Sequence, residues 1–115
     1  MIHDSALIGR LDGRNERELY ATLGAELLGE TLGAGGAQDD DEYRRFGQQW
    51  FEDRIDQWRQ AICGTVIAKE LSGEFPGDLV DVAALTLPLT GNNQLLALTI
   101  AAIILRRGVA TLCAE

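Results

Sequence analysis

From Val82 to Leu105 the chain carries no ionisable side chain, although all but one of its 18 acids and all but two of its 10 bases lie before that stretch. A run this apolar has to leave water, because the burial of apolar surface is the dominant favourable term in folding and association. It can do so in the chain's own core, in a partner protein or in a bilayer. Pro88 and the polar turn Gly91-Asn92-Asn93-Gln94 interrupt it. The uncharged segment from Leu95 to Leu105 is 11 residues long, against the ~20 needed for a helix to cross a bilayer. Extending a span back to Val82 would put Pro88, Asn92, Asn93 and Gln94 into lipid, where each unpaired polar group costs several kcal/mol. The first expectation is therefore an apolar C-terminal helix over about 93–107 at the centre of a core. Asn92 or Asn93 would cap its start, and Arg106, Arg107 and Gly108 would close it. Docking of that helix into another protein or a second copy is one alternative. Insertion of an 82–105 hairpin into a membrane is the other.

The rest of the chain also reads as helix. Asp4 or Ser5 can cap a short segment carrying Leu7, Ile8 and Leu11. Asn15 followed by Glu18 has the form of a capping box. Leu19, Tyr20, Leu23, Leu27 and Leu28 then recur on one face of a helix ending near Leu32. Gly24 and Gly29 weaken that helix by about 1 kcal/mol each relative to alanine, unless another helix packs close against them. Residues 33–38 form a Gly-rich linker. The acids Asp39 to Glu42 open the next helix, where they meet its free N–H groups and the positive end of its dipole. Tyr43, Gly47, Phe51, Ile55, Trp58 and Ile62 recur at helical spacing, and Phe46 and Trp50 flank them. The pattern predicts a long amphipathic helix over about 40–72, with Gly64-Thr65 as a place to bend. Unbroken, it would be roughly 45 Å long. Asp78 can cap a short helix from Leu79 to Leu85, with a strand as the alternative there. Val109 to Glu115 is either a further helical turn or a tail.

Chemistry is harder to find. The net charge of −8 excludes a backbone-binding nucleic-acid surface, which needs clustered Lys and Arg. Glu52, Asp53 and Asp56 place carboxylates along the long helix, with Glu52 and Asp56 on one face. No histidine accompanies them as a metal site of helix bundles would require. The only histidine, His3, lies near the terminus, so no Ser-His or Cys-His pair can be built. Asp39–Glu42 lacks the ligand alternation of a calcium loop, and Gly33–Gly36 lacks the Lys-Ser/Thr ending of a phosphate loop. Cys63 and Cys113 read as a small buried thiol and a tail thiol. Their pairing would require an oxidising compartment. Met1 to Asp4 has no basic segment followed by an apolar one, so the expected location is cytoplasmic.

These readings converge on an all-α fold. A compact bundle of four to five helices forms a single domain over residues 1–115, with the 33–38 linker inside it. The expected function is that of a non-enzymatic protein–protein interaction module, a small acidic adaptor or accessory subunit of a larger assembly. It would bind a protein partner or itself, and no nucleic acid, cofactor or metal. The candidate interface residues are Tyr43, Trp50, Phe51, Trp58, Leu98 and Ile103, because aromatic residues are the types enriched in binding hot spots and the C-terminal helix offers surplus apolar surface. The competing functions are a membrane-active protein that inserts the 82–105 hairpin and a metal-dependent enzyme that uses Glu52 and Asp56.

Overall fold

A computed structural model describes residues 5–28, 37–71 and 73–114, and all regular structure among them is helical. The helices are α1 (Ser5–Asp12), α2 (Glu16–Leu27), α3 (Ala37–Asp53), α4 (Ile55–Ile62), α5 (Val66–Lys69), α6 (Phe75–Thr86), α7 (Gln94–Arg107) and α8 (Val109–Ala114), with a 3-10 turn at Leu87–Thr90 between α6 and α7. Helix α2 ends at Leu27, with Leu28 as its C-cap, short of the expected end near Leu32, and most of the 33–38 linker lies outside the described residues. The linker's last two residues, Ala37 and Gln38, belong to α3.

The uncharged C-terminal stretch becomes the end of α6, the 3-10 turn and most of α7. Every residue of α7 from Ala97 to Ile104 is buried. Asn93 caps this helix by accepting the Leu96 N–H at 3.2 Å, and Gly108 ends it with φ +98°. Helices α1, α2, α6 and α8 pack around it. One hydrophobic cluster joins Leu11 of α1, Leu19 and Leu23 of α2, Phe51 of α3, Trp58 and Ile62 of α4, Leu79 and Val82 of α6, the core face of α7 and Leu112 of α8.

The Tyr43–Ile62 face is divided between two partners. Helix α3 packs chiefly on α2, and α4 packs on α6. The reason is a pair of glycines. A methyl group on Gly24 would overlap the Tyr43 carbonyl, and one on Gly47 would overlap the Tyr20 carbonyl. The two helix backbones approach so closely that only hydrogen fits at either position, and this close packing offsets the weak helix propensity of Gly24.

The long helix expected over 40–72 is broken twice. The first break is at Arg54 (φ −113°, ψ 18°). The Phe51 carbonyl accepts the Arg54 N–H at 3.1 Å and the Trp58 indole N–H at 3.0 Å, so this helix end is hydrogen-bonded without continuing. In a straight helix Phe51 and Trp58 would be separated by about 10 Å along the axis. With the bend their ring centroids stack at 5.8 Å, and both side chains are fully buried. The second break, at Cys63-Gly64-Thr65, falls where the sequence pattern allows a bend. Gly64 has φ +84°, and Thr65 caps α5 by accepting the Ala68 N–H at 3.2 Å.

Helix α6 starts four residues earlier than expected. Pro76 stands in its first turn, where a missing N–H is harmless. Asp78 is therefore inside the helix, buried, and accepts the Gly73 N–H at 2.9 Å instead of capping Leu79. The two cysteines, read as separate thiols, are joined. Cys63 at the end of α4 and Cys113 in α8 form a disulfide with Cα atoms 5.7 Å apart. Leu112 anchors α8 in the core beside that bond, and its carbonyl accepts the Arg59 Nε–H at 3.2 Å.

Candidate functional site

The aromatic cluster is built on α2, α3 and α4. Tyr20 meets Phe51 edge-on with ring centroids 5.8 Å apart, and Trp50 lies 5.9 Å from Trp58 at a tilt. Of the six expected interface residues, Phe51, Trp58, Leu98 and Ile103 are at most 1% exposed and belong to the core of the folded chain. Tyr43 and Trp50 are half-buried. The Arg54 guanidinium sits 4.2 Å from the Trp50 ring centroid and donates from Nη1 to the Trp50 carbonyl at 3.1 Å. Phe46, one turn before Trp50 on α3, is 43% exposed. Helical spacing puts Phe46 and Trp50 on adjoining strips of α3 with Glu42, Gln49 and Asp53 on their outer side, and those three are exposed. An apolar edge with an acidic rim results. The sequence marked Phe46 only as a flanking residue. The signal that distinguishes it is its position between the α2-facing and solvent-facing strips of α3, which depends on where α2 packs.

A second constellation centres on Arg107, at the last turn of α7. Its Nη2 donates to the Tyr20 hydroxyl at 2.9 Å and to Glu52 at 3.3 Å, and lies 3.7 Å from Glu16. The Tyr20 hydroxyl donates in turn to Glu16 at 2.8 Å. Burial, followed by the bond to Glu16, raises the Tyr20 phenol above its usual range. Arg107 itself is 14% exposed. This network satisfies polar groups at one end of α7 and ties α2, α3 and α7 together.

Glu52 and Asp56, expected on one helical face, lie on opposite sides of the Arg54 break. Each has its own cation: Arg107 at 3.3 Å from Glu52 and Arg59 at 3.0 Å from Asp56. In the acidic start of α3, Asp41 collects Arg44 at 2.9 Å, Arg45 at 3.0 Å and Arg17 at 3.8 Å. The Arg44 hydrogen bond foremost holds its carboxyl below the usual value. Among the described residues, no group of three or more His, Cys, Asp or Glu side chains could hold a metal ion. His3 lies outside the described residues. No helix among them is long and apolar enough to cross a membrane.

Sequence reasoning missed a third site. Glu26 of α2 faces α7, and its Oε2 lies 2.9 Å from the Thr99 hydroxyl. Burial pushes its carboxyl up to about 7. Nothing in the local pattern around Glu26 marks it as inward-facing. No family model, curated protein or solved structure matches the chain.

Proposed function

We propose that the chain is a non-enzymatic protein–protein interaction module, a small acidic adaptor or accessory subunit. The supporting observation is the edge formed by Phe46 and Trp50 on α3. A large aromatic side chain that is 43% exposed beside a half-buried tryptophan pairs a residue type enriched in interfaces with one that dominates binding hot spots. The acidic rim and the net charge of −8 favour a partner with basic residues around an apolar anchor, since complementary charge steers and selects partners. Self-association through the same edge would bring acidic rims together, so a different protein is the better fit.

The test uses Phe46→Asp, which changes only an exposed position. The wild-type chain, carrying a photo-crosslinker at Gln49, should capture a defined basic partner from its native source, and the Phe46→Asp chain should not. Equal melting temperatures for the two chains would show that the loss concerns binding and not folding. Capture of the same partner by both chains, or of none by either, would refute the reading. Light scattering on the isolated chain supplies the control, because an oligomer that dissociates with Phe46→Asp would reassign the edge to self-association. The cytoplasmic location expected from the sequence is opposed by the Cys63–Cys113 bond, because cytosolic thiols are kept reduced. The disulfide supports an oxidising compartment instead. Alkylation of free thiols before lysis, followed by mass spectrometry, separates the two.

A further inference from the structure

The Thr99 hydroxyl has a single hydrogen and two acceptors, Glu26 Oε2 at 2.9 Å and the Leu95 carbonyl at 3.0 Å. The carbonyl can only accept. The hydroxyl can serve the carboxyl in either state: it donates to Glu26 Oε2 when the carboxyl is ionised, and when it turns to the Leu95 carbonyl a protonated carboxyl donates to it. The other carboxyl oxygen favours the neutral acid. Glu26 Oε1 is buried without a hydrogen-bond partner. For a neutral acid this is an unsatisfied carbonyl oxygen, but for an ionised one it is a buried negative oxygen with no donor, which costs far more.

The surroundings agree. Helix α7 brings no ionisable side chain before Arg106, and α6 brings none after Asp81. Among the described residues Arg14, in the α1–α2 connection, is the charge that acts on Glu26, and it favours ionisation. Its Nη1 donates to the Thr22 hydroxyl, and burial outweighs both the Thr99 hydrogen bond and Arg14, each of which favours the ionised form. On α3, Arg44 and Arg45 are held by Asp41 at 2.9 and 3.0 Å.

We propose that Glu26 is a proton-operated contact between α2 and α7: as a neutral acid it packs between the two helices beside Thr99, and its ionisation, which leaves a buried negative oxygen without a donor, loosens them. The bond broken is the carboxyl O–H, whose proton goes to solvent; the Thr99 hydroxyl still donates to Oε2 of the carboxylate, and the loss comes from the charge left on the buried Oε1, which has no donor. The carboxyl is raised from its ordinary 4.5 to about 7 in the folded chain. Its contribution to stability is therefore fully present below pH 4.5 and is lost as pH rises through about 7. The folding equilibrium constant is expected to fall by about two orders of magnitude over that window.

The test compares wild type with Glu26→Gln, an uncharged mimic of the protonated acid. Chemical denaturation from pH 4.5 to pH 8.5 should show a fall for wild type that Glu26→Gln lacks. Hydrogen-exchange protection, corrected for intrinsic rates, should drop between pH 6 and pH 8 at Ile100 to Ile104 in wild type alone. Identical pH profiles for the two chains, or wild-type protection in α7 that does not change with pH, would overturn the proposal. Should Glu26→Gln fail to fold, the side-chain carboxyl of Glu26 followed by carbon NMR decides the matter. A midpoint near 7 supports the assignment, and one near 4.5 refutes it.

Discussion

A few positions carry consequences out of proportion to their size. Gly24 and Gly47 let α2 and α3 touch backbone to backbone, and a methyl group at either would overlap a carbonyl of the other helix. Neither carbonyl can move without displacing its helix. Gly24→Ala or Gly47→Ala is therefore expected to destabilise by about 3 kcal/mol, at the upper end of overpacking effects. Gly77, within α6, has open space where a methyl would go, so Gly77→Ala should stabilise by roughly 0.5–1 kcal/mol through helix propensity. Urea denaturation of the three variants checks both signs, and equal effects would contradict the close-packing account. The sequence pattern places Gly24 and Gly47 on helical segments and Gly77 just before one. Their opposite roles depend on what faces each one.

The elements divide by whether their ends are set within one turn or across the chain. Asn15 and Glu18 form the capping box expected of them, with bonds of 2.8 and 3.0 Å. Asn15→Ala should cost about 1 kcal/mol. The Asn93 cap and the Gly108 stop of α7 were equally legible, since each needs only neighbouring residues. The break between α3 and α4 was not. It is held by the Trp58 indole N–H, which reaches the Phe51 carbonyl at 3.0 Å, and by burial of both rings in a shared core. The hydrophobic spacing of Phe51, Ile55, Trp58 and Ile62 is equally compatible with a straight helix. Trp58→Phe keeps an aromatic ring and removes the donor. It should cost about 0.5–1.5 kcal/mol for the lost hydrogen bond, since the Phe51 carbonyl keeps the Arg54 N–H. The change is expected to appear in thermal melting, with faster hydrogen exchange confined to residues 52–57. Uniformly faster exchange would instead mean that the bond matters only for global stability.

At the scale of the molecule, two features link distant parts of the chain. The Cys63–Cys113 bond closes a loop with a sequence separation of 50, and removing it should lower stability by about 2–4 kcal/mol through the entropy of the unfolded chain. Guanidinium midpoints measured with and without a reductant test this, and a Cys63→Ser/Cys113→Ser chain should match the reduced wild type and ignore the reductant. The second feature is opposing pH dependence. Asp41 is held below its ordinary 3.8, so its contribution is present above that value and is lost as pH falls below it. Glu26 is held above its ordinary value, so its contribution is lost as pH rises towards about 7. A stability maximum is expected on the acid side of neutrality, near the ordinary carboxylate values. Asp41→Asn should remove part of the decline at the acid limb and leave the neutral limb unchanged.

An all-helical chain with a buried α7 follows from local chemistry: helical periodicity, caps within one turn, and an uncharged stretch too short and too interrupted to cross a bilayer. Such signals act between residues a few positions apart and survive in any fold the chain adopts. Other properties required the assembled molecule. Glu26 lies 73 positions from Thr99, Tyr20 lies 87 positions from Arg107, and the cysteines pair only because α8 returns to the end of α4. The sorting of the aromatic residues into a buried pair, Phe51 and Trp58, and an open edge, Phe46 and Trp50, likewise awaited the position of α2. In each case the outcome depends on which surfaces meet, and burial of apolar area, being non-directional, does not encode that choice in any one segment.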